Sequence, residues 1–485
     1  SQAPGPAASL KPTSTFIPAA NVKANPAVGL AMGTAAVSPT DRYGSHLAVI
    51  AAGQATTIDR PAKGQPLLLA LATPTLDGAT PVDLDLSLDG AIDPAEKQDA
   101  YEFADPAPQN NSPPLPPIDL PAFRLFADDV TKFWVIRPGL KPPAGEAYDE
   151  IEIGTHLLAT GAHCDVYVDA VLGASKEDAA ALAAAFDNII FPTDTRLFGA
   201  FPAEGVGGHA NPAIVITPQV SNNGATGTLA FFARRDLDAP DPADPARKHA
   251  NHRGIVFLDA ATLAAGRRGD MFASVAHEFQ HLLNFHHKRK DAGVAAGEEM
   301  WLDEAMAVYA SGACGYGVSE SRSVYAHVAG YFQRAYNYSL TDWSRNPGAS
   351  GYGMGYLFMT YLADRFGEEL PGQLVMSPLR GKASLDAVLK THGSSYADAF
   401  TDFSVALVND GLFNDATGRF SFKSVKPRGK TSFGELHGPY AVPLGADGAH
   451  VPARADVAYL FQFQPGDPSP VLRSGGLFRA IALVP

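Results

Sequence analysis

Cysteine is scarce in this sequence of 485 residues, which holds only Cys164 and Cys314. Two cysteines exclude a scaffold stabilised by several disulfide bonds and a zinc site built from four thiolates. The pair forms either one disulfide, if the protein is exported, or two buried thiols. Apolar runs are short as well. None approaches the roughly 20 residues that cross a bilayer, so we expect no membrane segment.

Charged residues are also few, at 18% of the chain, and positive charge is the rarer sign. Lys and Arg number 37 against 51 for Asp and Glu, which gives a formal net charge of −14. An acidic surface disfavours contacts with phosphate groups. We therefore expect neither a nucleic acid nor a membrane as a partner, and we expect a monomer.

Glycine and proline, in contrast, are abundant, with 46 and 39 residues. The many turns that they form argue against a helical bundle. With the strands and helices predicted below, the expected fold class is α+β. The length suggests about three domains of ~150 residues each. Composition predicts a loosely packed Ala/Pro-rich arm at residues 1–40, a β-rich N-terminal domain at 41–130, a central domain at 131–410, and a β-rich C-terminal segment at 411–485.

The central region alternates predicted strands with predicted helices. Apolar spacing indicates a helix that begins at Ser175 and is stopped by Pro192. Short apolar or alternating runs indicate the strands. They lie at Lys132–Arg137, Ile151–His156, Asp165–Asp169, Pro212–Thr217 and Gly254–Leu258.

The segment His277-Glu278-Phe-Gln-His281 carries the main chemical signal. Residues four apart on a helix share one face, so both imidazoles can bind one Zn²⁺ ion. Glu278 is placed to accept a proton from water that the metal activates. An apolar stripe that starts at Phe272 supports the helix. The alternative is an accidental match on a surface helix.

A catalytic zinc ion needs a third protein ligand, and the sequence offers two candidates. Glu304 lies in an apolar helical segment, where a carboxylate needs a partner. His287 follows at the spacing of the third metzincin histidine, with Asn284 in place of that pattern's glycine. We prefer Glu304, because the apolar stripe continues up to Asn284. Residues 286–290 are in addition typical of a solvated basic helix end, which would tolerate substitution.

The motif at residues 277–281, with Trp301-Leu-Asp-Glu304-Ala downstream, resembles the gluzincin metallopeptidases and their signature H-E-x-x-H…W-L-N-E-G. Among these it is similar to the hyicolysin family of secreted bacterial neutral metallopeptidases, over about Lys132–Gly367. The resemblance implies a zincin-like catalytic domain with His277, His281 and Glu304 as metal ligands. It also implies a secreted enzyme that acts on proteins or peptides, and a start at Ser1 without Met fits a processed, exported chain.

The resemblance further implies an edge strand, which we assign to Gly254–Leu258 and expect to pair with an extended peptide substrate. Asp303 and Ala305 replace the usual Asn and Gly of the signature. Val308 stands where thermolysin-like enzymes have an Asp. The residue that orients His277 is therefore not identified.

A second segment, Gly351-Tyr352-Gly-Met-Gly355, resembles the Y-x-x-G helix of aminopeptidase-type gluzincins. There the tyrosine hydroxyl stabilises the oxyanion of the reaction, so Tyr352 is the candidate for this role. Tyr356 and His327 are the reserves. The alternative is a tyrosine that only packs at a helix start.

A zinc endopeptidase is the leading prediction for function. An aminopeptidase is one alternative, although the G-x-M-E-N motif of that family is missing. A binding or adhesive protein with a degenerate zincin domain is another, and the intact Glu278 argues against it. Four acidic residues could also bind Ca²⁺, or form a plain acidic loop. These are Asp236, Asp238, Asp241 and Asp244.

Overall fold

The computed structural model of this chain describes residues 22–24, 46–50, 55–58, 67–73, 84–88, 130–172, 176–263, 267–343, 346, 348–409, 415, 417–442, 448–451, 455–463, 470–474 and 478–483. Most of the predicted arm at residues 1–40 lies outside these ranges. Helices and strands are mixed along the described chain, which is compatible with the predicted α+β class. Across these ranges, no helix combines the length and the apolar character needed to cross a membrane.

The strands are numbered in chain order. They are β1 (Val22–Ala24), β2 (His46–Ile50), β3 (Ala55–Ile58), β4 (Leu67–Ala72), β5 (Leu84–Leu88), β6 (Val130–Ile136), β7 (Glu150–Thr160), β8 (Asp165–Asp169), β9 (Ala213–Thr217), β10 (Ala230–Phe232), β11 (Ile255–Asp259), β12 (Arg428–Lys430), β13 (Glu435–His437), β14 (Gly448–Val451), β15 (Ala458–Phe463), β16 (Pro470–Ser474) and β17 (Phe478–Leu483).

The α-helices are numbered in the same way. They are α1 (Lys176–Ala185), α2 (Phe191–Phe198), α3 (Arg268–Lys290), α4 (Met300–Ala313), α5 (Arg322–Gln333), α6 (Gly351–Phe366), α7 (Leu370–Met376), α8 (Gly381–Thr391) and α9 (Tyr396–Asn409).

A six-stranded sheet forms the centre of the molecule, in the order β10-β11-β9-β8-β7-β6. Strands β8, β9 and β11 are parallel, and the outer pairs are antiparallel. Side chains of the parallel strands alternate between two hydrophobic cores, one on each face of the sheet. Ile214 and Val256 face α1 and α3. Val215 and Phe257 face the opposite side. Burial on both faces explains why these strands are continuous apolar runs.

The edge of this sheet is not the strand that the sequence predicts. Strand β10 pairs antiparallel with β11 and covers it, so the assignment of the edge to Gly254–Leu258 is wrong. The true edge is Ala230–Phe232. Three residues are too few to show the alternation on which strand prediction depends.

Pro192 does not stop the helix that begins the central domain. The chain passes from α1 through a π-helical turn at Phe186–Ile190 directly into α2, which continues to Phe198. Pro192 lies in the first turn of α2. The wider π turn accommodates the missing N–H and the ring at that point, as a helix start normally does.

The two ends of the chain share sheets. One sheet has the order β15-β4-β17-β2 and the other β1-β3-β16-β5-β14. Strands from residues 46–88 therefore alternate with strands from residues 448–483. The predicted segments 41–130 and 411–485 do not correspond to separate sheets.

Close helix packing brings α4, α5 and α6 together beside α3. A Cβ atom at Gly355 of α6 would lie only 3.2 Å from the Cα atom of Ala305 in α4. A Cβ atom at Gly353 would lie 2.1 Å from the carbonyl oxygen of His327 in α5. Glycine at these two positions therefore lets α6 approach both neighbours, which explains the glycine-rich start of this helix.

The C-terminal end of α3 is partly buried at His287 and Lys288, contrary to the prediction of a solvated basic end. The Lys288 and Glu298 side chains are both 0% exposed and form an ion pair of 2.8 Å. Lys288 Nζ also donates to the carbonyl oxygen of Leu374 at 2.7 Å. Glu298 accepts from the backbone N–H of Gly381 at 2.7 Å. This pair ties α3 to the start of α4 and to α7 and α8.

Replacing Lys288 by methionine should therefore leave a buried carboxylate without its counter-ion. We expect the free energy of unfolding to fall by about 3–5 kcal/mol, the usual cost of breaking one side of a buried pair. Lys290→Met, at an exposed position of the same helix, is the control. Urea unfolding of both variants measures the difference. Equal stability of the two would contradict the role given to the Lys288–Glu298 pair.

Candidate metal centre

The two histidines of α3 face one another across a single helical turn. His277 Nε2 and His281 Nε2 are 3.1 Å apart, and the two rings are nearly perpendicular, at 83°. The apolar stripe of the helix, represented by Phe272 and Phe279, is fully buried on the other side. The amphipathic pattern thus fixes the helix and turns both imidazoles toward the same point.

Glu304 reaches this point from α4. Its Oε2 atom lies 3.1 Å from His277 Nε2 and 3.4 Å from His281 Nε2. The same oxygen is buried and has no hydrogen bond of good geometry. A buried carboxylate oxygen that lies between two imidazoles without bonding either is typical of a metal ligand.

The spacing of these three atoms fits zinc. Ligand atoms around a tetrahedral zinc ion, with bonds of about 2.0–2.1 Å, are roughly 3.3–3.4 Å apart. Glu278 also lies near, and His277, Glu278 and His281 offer ligand atoms within 4.8 Å of one another. However, Glu278 Oε1 is 3.9 Å from His277 Nε2, farther than Glu304 is from either imidazole. We therefore take Glu304, not Glu278, as the third ligand of the set.

Electrostatics couple the three groups. Burial raises the pKa of Glu304, but the imidazoles of His281 and His277 outweigh it and hold that pKa well below its usual range. Burial likewise lowers the pKa of His281, yet the carboxylates of Asp303 and Glu304 raise it well above the usual value. The centre thus favours a bound positive charge, whether proton or metal ion.

Asp303, which the sequence analysis notes only as a replacement for the usual Asn, contacts the ring of His281. Its Oδ1 atom lies 3.0 Å from His281 Nδ1, the ring nitrogen opposite the metal-facing one. Asn284 Nδ2 donates to the same oxygen at 2.6 Å. A carboxylate at this place fixes the orientation and tautomer of a ligand histidine. The signal in the sequence that could have identified Asp303 was its position next to the candidate ligand Glu304. Val308, at the other expected place, is buried and apolar.

Glu278 points to the edge strand. The backbone N–H of Phe232 in β10 donates to its carboxylate. Burial raises the pKa of Glu278, and the nearby imidazoles of His277 and His281 offset part of this rise. A buried carboxylate with a raised pKa suits proton transfer near neutral pH.

Aromatic rings border the other side of the centre. The Tyr352 ring lies 6.1 Å from that of His277, is stacked on His327 at 5.1 Å, and contacts Trp343 edge-on at 4.9 Å. Burial raises the pKa of Tyr352, so its hydroxyl keeps its proton. Tyr356 is placed differently. Its hydroxyl lies beside Gly312, toward the end of α4.

His287 does not belong to the centre. Helix α3 continues without a turn at Asn284, which removes the geometry that the metzincin alternative requires. His287 Nε2 donates to the carbonyl oxygen of Ala200 at 2.8 Å, and Nδ1 contacts Asp291. The ring fills a buried space left by Gly199, where a Cβ atom would lie 2.6 Å from Nε2. It is therefore a packing residue, and the solvated position from which its tolerance to substitution was expected is wrong.

The remaining predicted sites are occupied by ordinary contacts. Cys164 and Cys314 are both buried free thiols, and Cys314 Sγ donates to Asp194 at 3.4 Å. Asp236 accepts from the backbone N–H of Asn251 at 2.9 Å. The other three acidic-loop residues pair with arginines, as the plain acidic loop would. These pairs are Asp238 with Arg289, and Asp241 and Asp244 with Arg247.

Comparison with known proteins points to the same chemistry. No protein-family model matches this chain. The chain is similar to the neutral metalloprotease ShpI of Staphylococcus hyicus, with 25% identity over 297 residues. The match covers 54% of this chain and 63% of that relative. A metal-dependent protease is thus a distant relative of this chain over about half its length.

Glu304→Ala and His287→Ala should separate the two candidates for the third ligand. Glu304→Ala leaves two protein ligands, so we expect zinc to be lost on dialysis. His287→Ala should keep zinc but lower the unfolding free energy by about 2 kcal/mol or more, because it removes a buried, hydrogen-bonded ring. Zinc content and urea unfolding of both variants give the answer. Full zinc occupancy in Glu304→Ala would rule out the ligand set proposed here.

Proposed function

We propose that this protein is a secreted zinc endopeptidase that hydrolyses peptide bonds with Glu278 as general base. The observation that carries the proposal is the convergence of His277, His281 and Glu304 beside a buried Glu278. The similarity to a metalloprotease supports the reaction class. The resemblance to a family of secreted enzymes supports export.

The three ligands His277, His281 and Glu304 would hold the metal ion. When bound there, zinc would polarise the scissile carbonyl group and lower the pKa of water toward ~7. Asp303 would keep His281 in the orientation in which Nε2 faces the ion, since it occupies the Nδ1 side of that ring.

Glu278 would move the proton. Its carboxylate takes a proton from the attacking water and later delivers it to the leaving amine. The backbone N–H of Phe232 lies beside this carboxylate, and its Oε1 atom lies 3.9 Å from His277 Nε2. Because burial raises its pKa, Glu278 accepts the proton of the attacking water more readily than an exposed glutamate with its normal pKa would, and it holds that proton until the amine leaves.

Tyr352 would donate a hydrogen bond to the oxygen of the scissile carbonyl as negative charge develops on it. The stacked His327 ring and the Trp343 edge restrict the movement of the phenol. Its raised pKa keeps the hydroxyl protonated, which a donor needs.

The substrate would lie along β10. This strand uses one edge to pair with β11, and an antiparallel edge strand can add an extended peptide on its other side. The contact between Phe232 and Glu278 places that strand directly beside the base. An aminopeptidase would also need an acidic group for the substrate amine, and a binding protein would not need Glu278.

Glu278→Gln tests the base, because it keeps the shape and removes the proton acceptor. We expect casein hydrolysis to fall by at least ~10², the low end of general acid–base catalysis, while zinc stays bound. Glu177→Gln, on the exposed face of α1, is the matched control. Near-normal hydrolysis by Glu278→Gln would contradict the proposed role of Glu278 as general base.

Tyr352→Phe tests the oxyanion donor, because it removes one hydroxyl and keeps the ring. We expect kcat to fall by ~10–10³ with little change in KM, since the hydroxyl acts mainly in the transition state. Tyr356→Phe, one turn along the same helix, should keep its kcat because its hydroxyl lies elsewhere. Equal kcat values for both variants would contradict the role of Tyr352.

A further inference from the structure

His327 is a polar side chain at the candidate centre to which the proposed mechanism assigns no chemical step. It lies on α5, and its ring stacks on Tyr352 with an interplanar angle of 24°. Its charged neighbours are His277, Asp270 and Glu304, and two of these belong to the candidate ligand set. The carbonyl oxygen of His327 abuts Gly353 of α6. Backbone contact between the two helices therefore fixes this ring relative to Tyr352.

The two nitrogens of the His327 ring have different surroundings. Nδ1 is buried and has no hydrogen-bond partner. A proton on Nδ1 would be a buried donor without an acceptor, which costs about 1–3 kcal/mol. The proton is therefore placed on Nε2, the nitrogen that is not enclosed. The half-buried ring thus has one N–H donor, and it lies beside the Tyr352 ring that borders the centre.

The donor is also uncharged. Burial, together with the nearby His277, lowers the pKa of His327 to about 4. A cation at this place would be attracted to Glu278 or Glu304 and would compete with their proposed roles. A neutral N–H leaves both carboxylates free and suits a neutral acceptor, of which the peptide carbonyl oxygen is the most abundant in a protein substrate.

An extended peptide that pairs with β10 offers such an acceptor on the edge that faces away from β10. Its carbonyl groups point alternately to its two edges, so a peptide that pairs with β10 on one edge presents further carbonyl oxygens on the other. Strand β10 borders Glu278, whereas Tyr352 of α6, with His327 of α5 stacked on it, borders His277. We propose that His327 Nε2–H binds a backbone carbonyl oxygen of the substrate next to the scissile bond, and so selects extended peptides. This inference rests on the proposed peptidase function.

The test separates substrate binding from catalysis. Fluorescein-labelled casein is titrated against the Glu278→Gln protein, in which cleavage is suppressed, with or without a second change at His327. His327→Gln keeps a neutral donor, and His327→Met has nearly the same shape without one. His327→Phe keeps the ring that stacks on Tyr352. We expect Met and Phe to weaken casein binding about three- to tenfold, the size of one neutral hydrogen bond, and Gln to recover most of it.

Kinetics in the otherwise native protein supply the second readout. His327→Phe, which keeps the ring that stacks on Tyr352, should raise KM for casein by the same factor and leave kcat within about twofold, with normal zinc content and thermal stability. Equal binding by the Gln and Met variants would overturn the inference, and so would a loss in kcat alone. If the wild-type protein does not cleave casein, the peptidase proposal fails. The binding titration still decides whether His327 is a peptide contact.

Discussion

The candidate site depends on one close contact, in which a buried carboxylate on α4 lies against two imidazoles on α3. Glu304 Oε2 comes within 3.1 and 3.4 Å of the two Nε2 atoms. Burying a carboxylate is costly unless positive charge compensates it. The arrangement is therefore stable only with shared protons or a metal ion between the groups, and it explains the lowered pKa of Glu304.

Helix packing enforces that approach from outside the site. Gly355 lets α6 press against Ala305, next in sequence to Glu304. At the far end of α3, the Lys288–Glu298 pair ties this helix to the segment that leads into α4. The two helices are thus held together beside Glu304 and again at the C-terminal end of α3. Such support holds a site to the tolerance that metal binding and catalysis require.

Local patterns were readable from the sequence, and long-range contacts were not. The strand Asp165–Asp169 and the helix around His277 follow from alternation and from i, i+4 spacing, which need no partner. The burial of Lys288 depends on Glu298 and Leu374, and that of His287 on Gly199 and Ala200, all distant in sequence. The edge at β10 and the position of Asp303 beside His281 likewise require the folded chain.

The central claim is that His277, His281 and Glu304 bind one metal ion. The most direct measurement is an anomalous-difference map of zinc-loaded crystals, recorded on both sides of the zinc absorption edge. We expect one peak at about 2.0–2.1 Å from both Nε2 atoms and about 2.0–2.2 Å from Glu304 Oε2. A peak coordinated by Glu278 instead of Glu304, or no peak at these residues, would contradict the account.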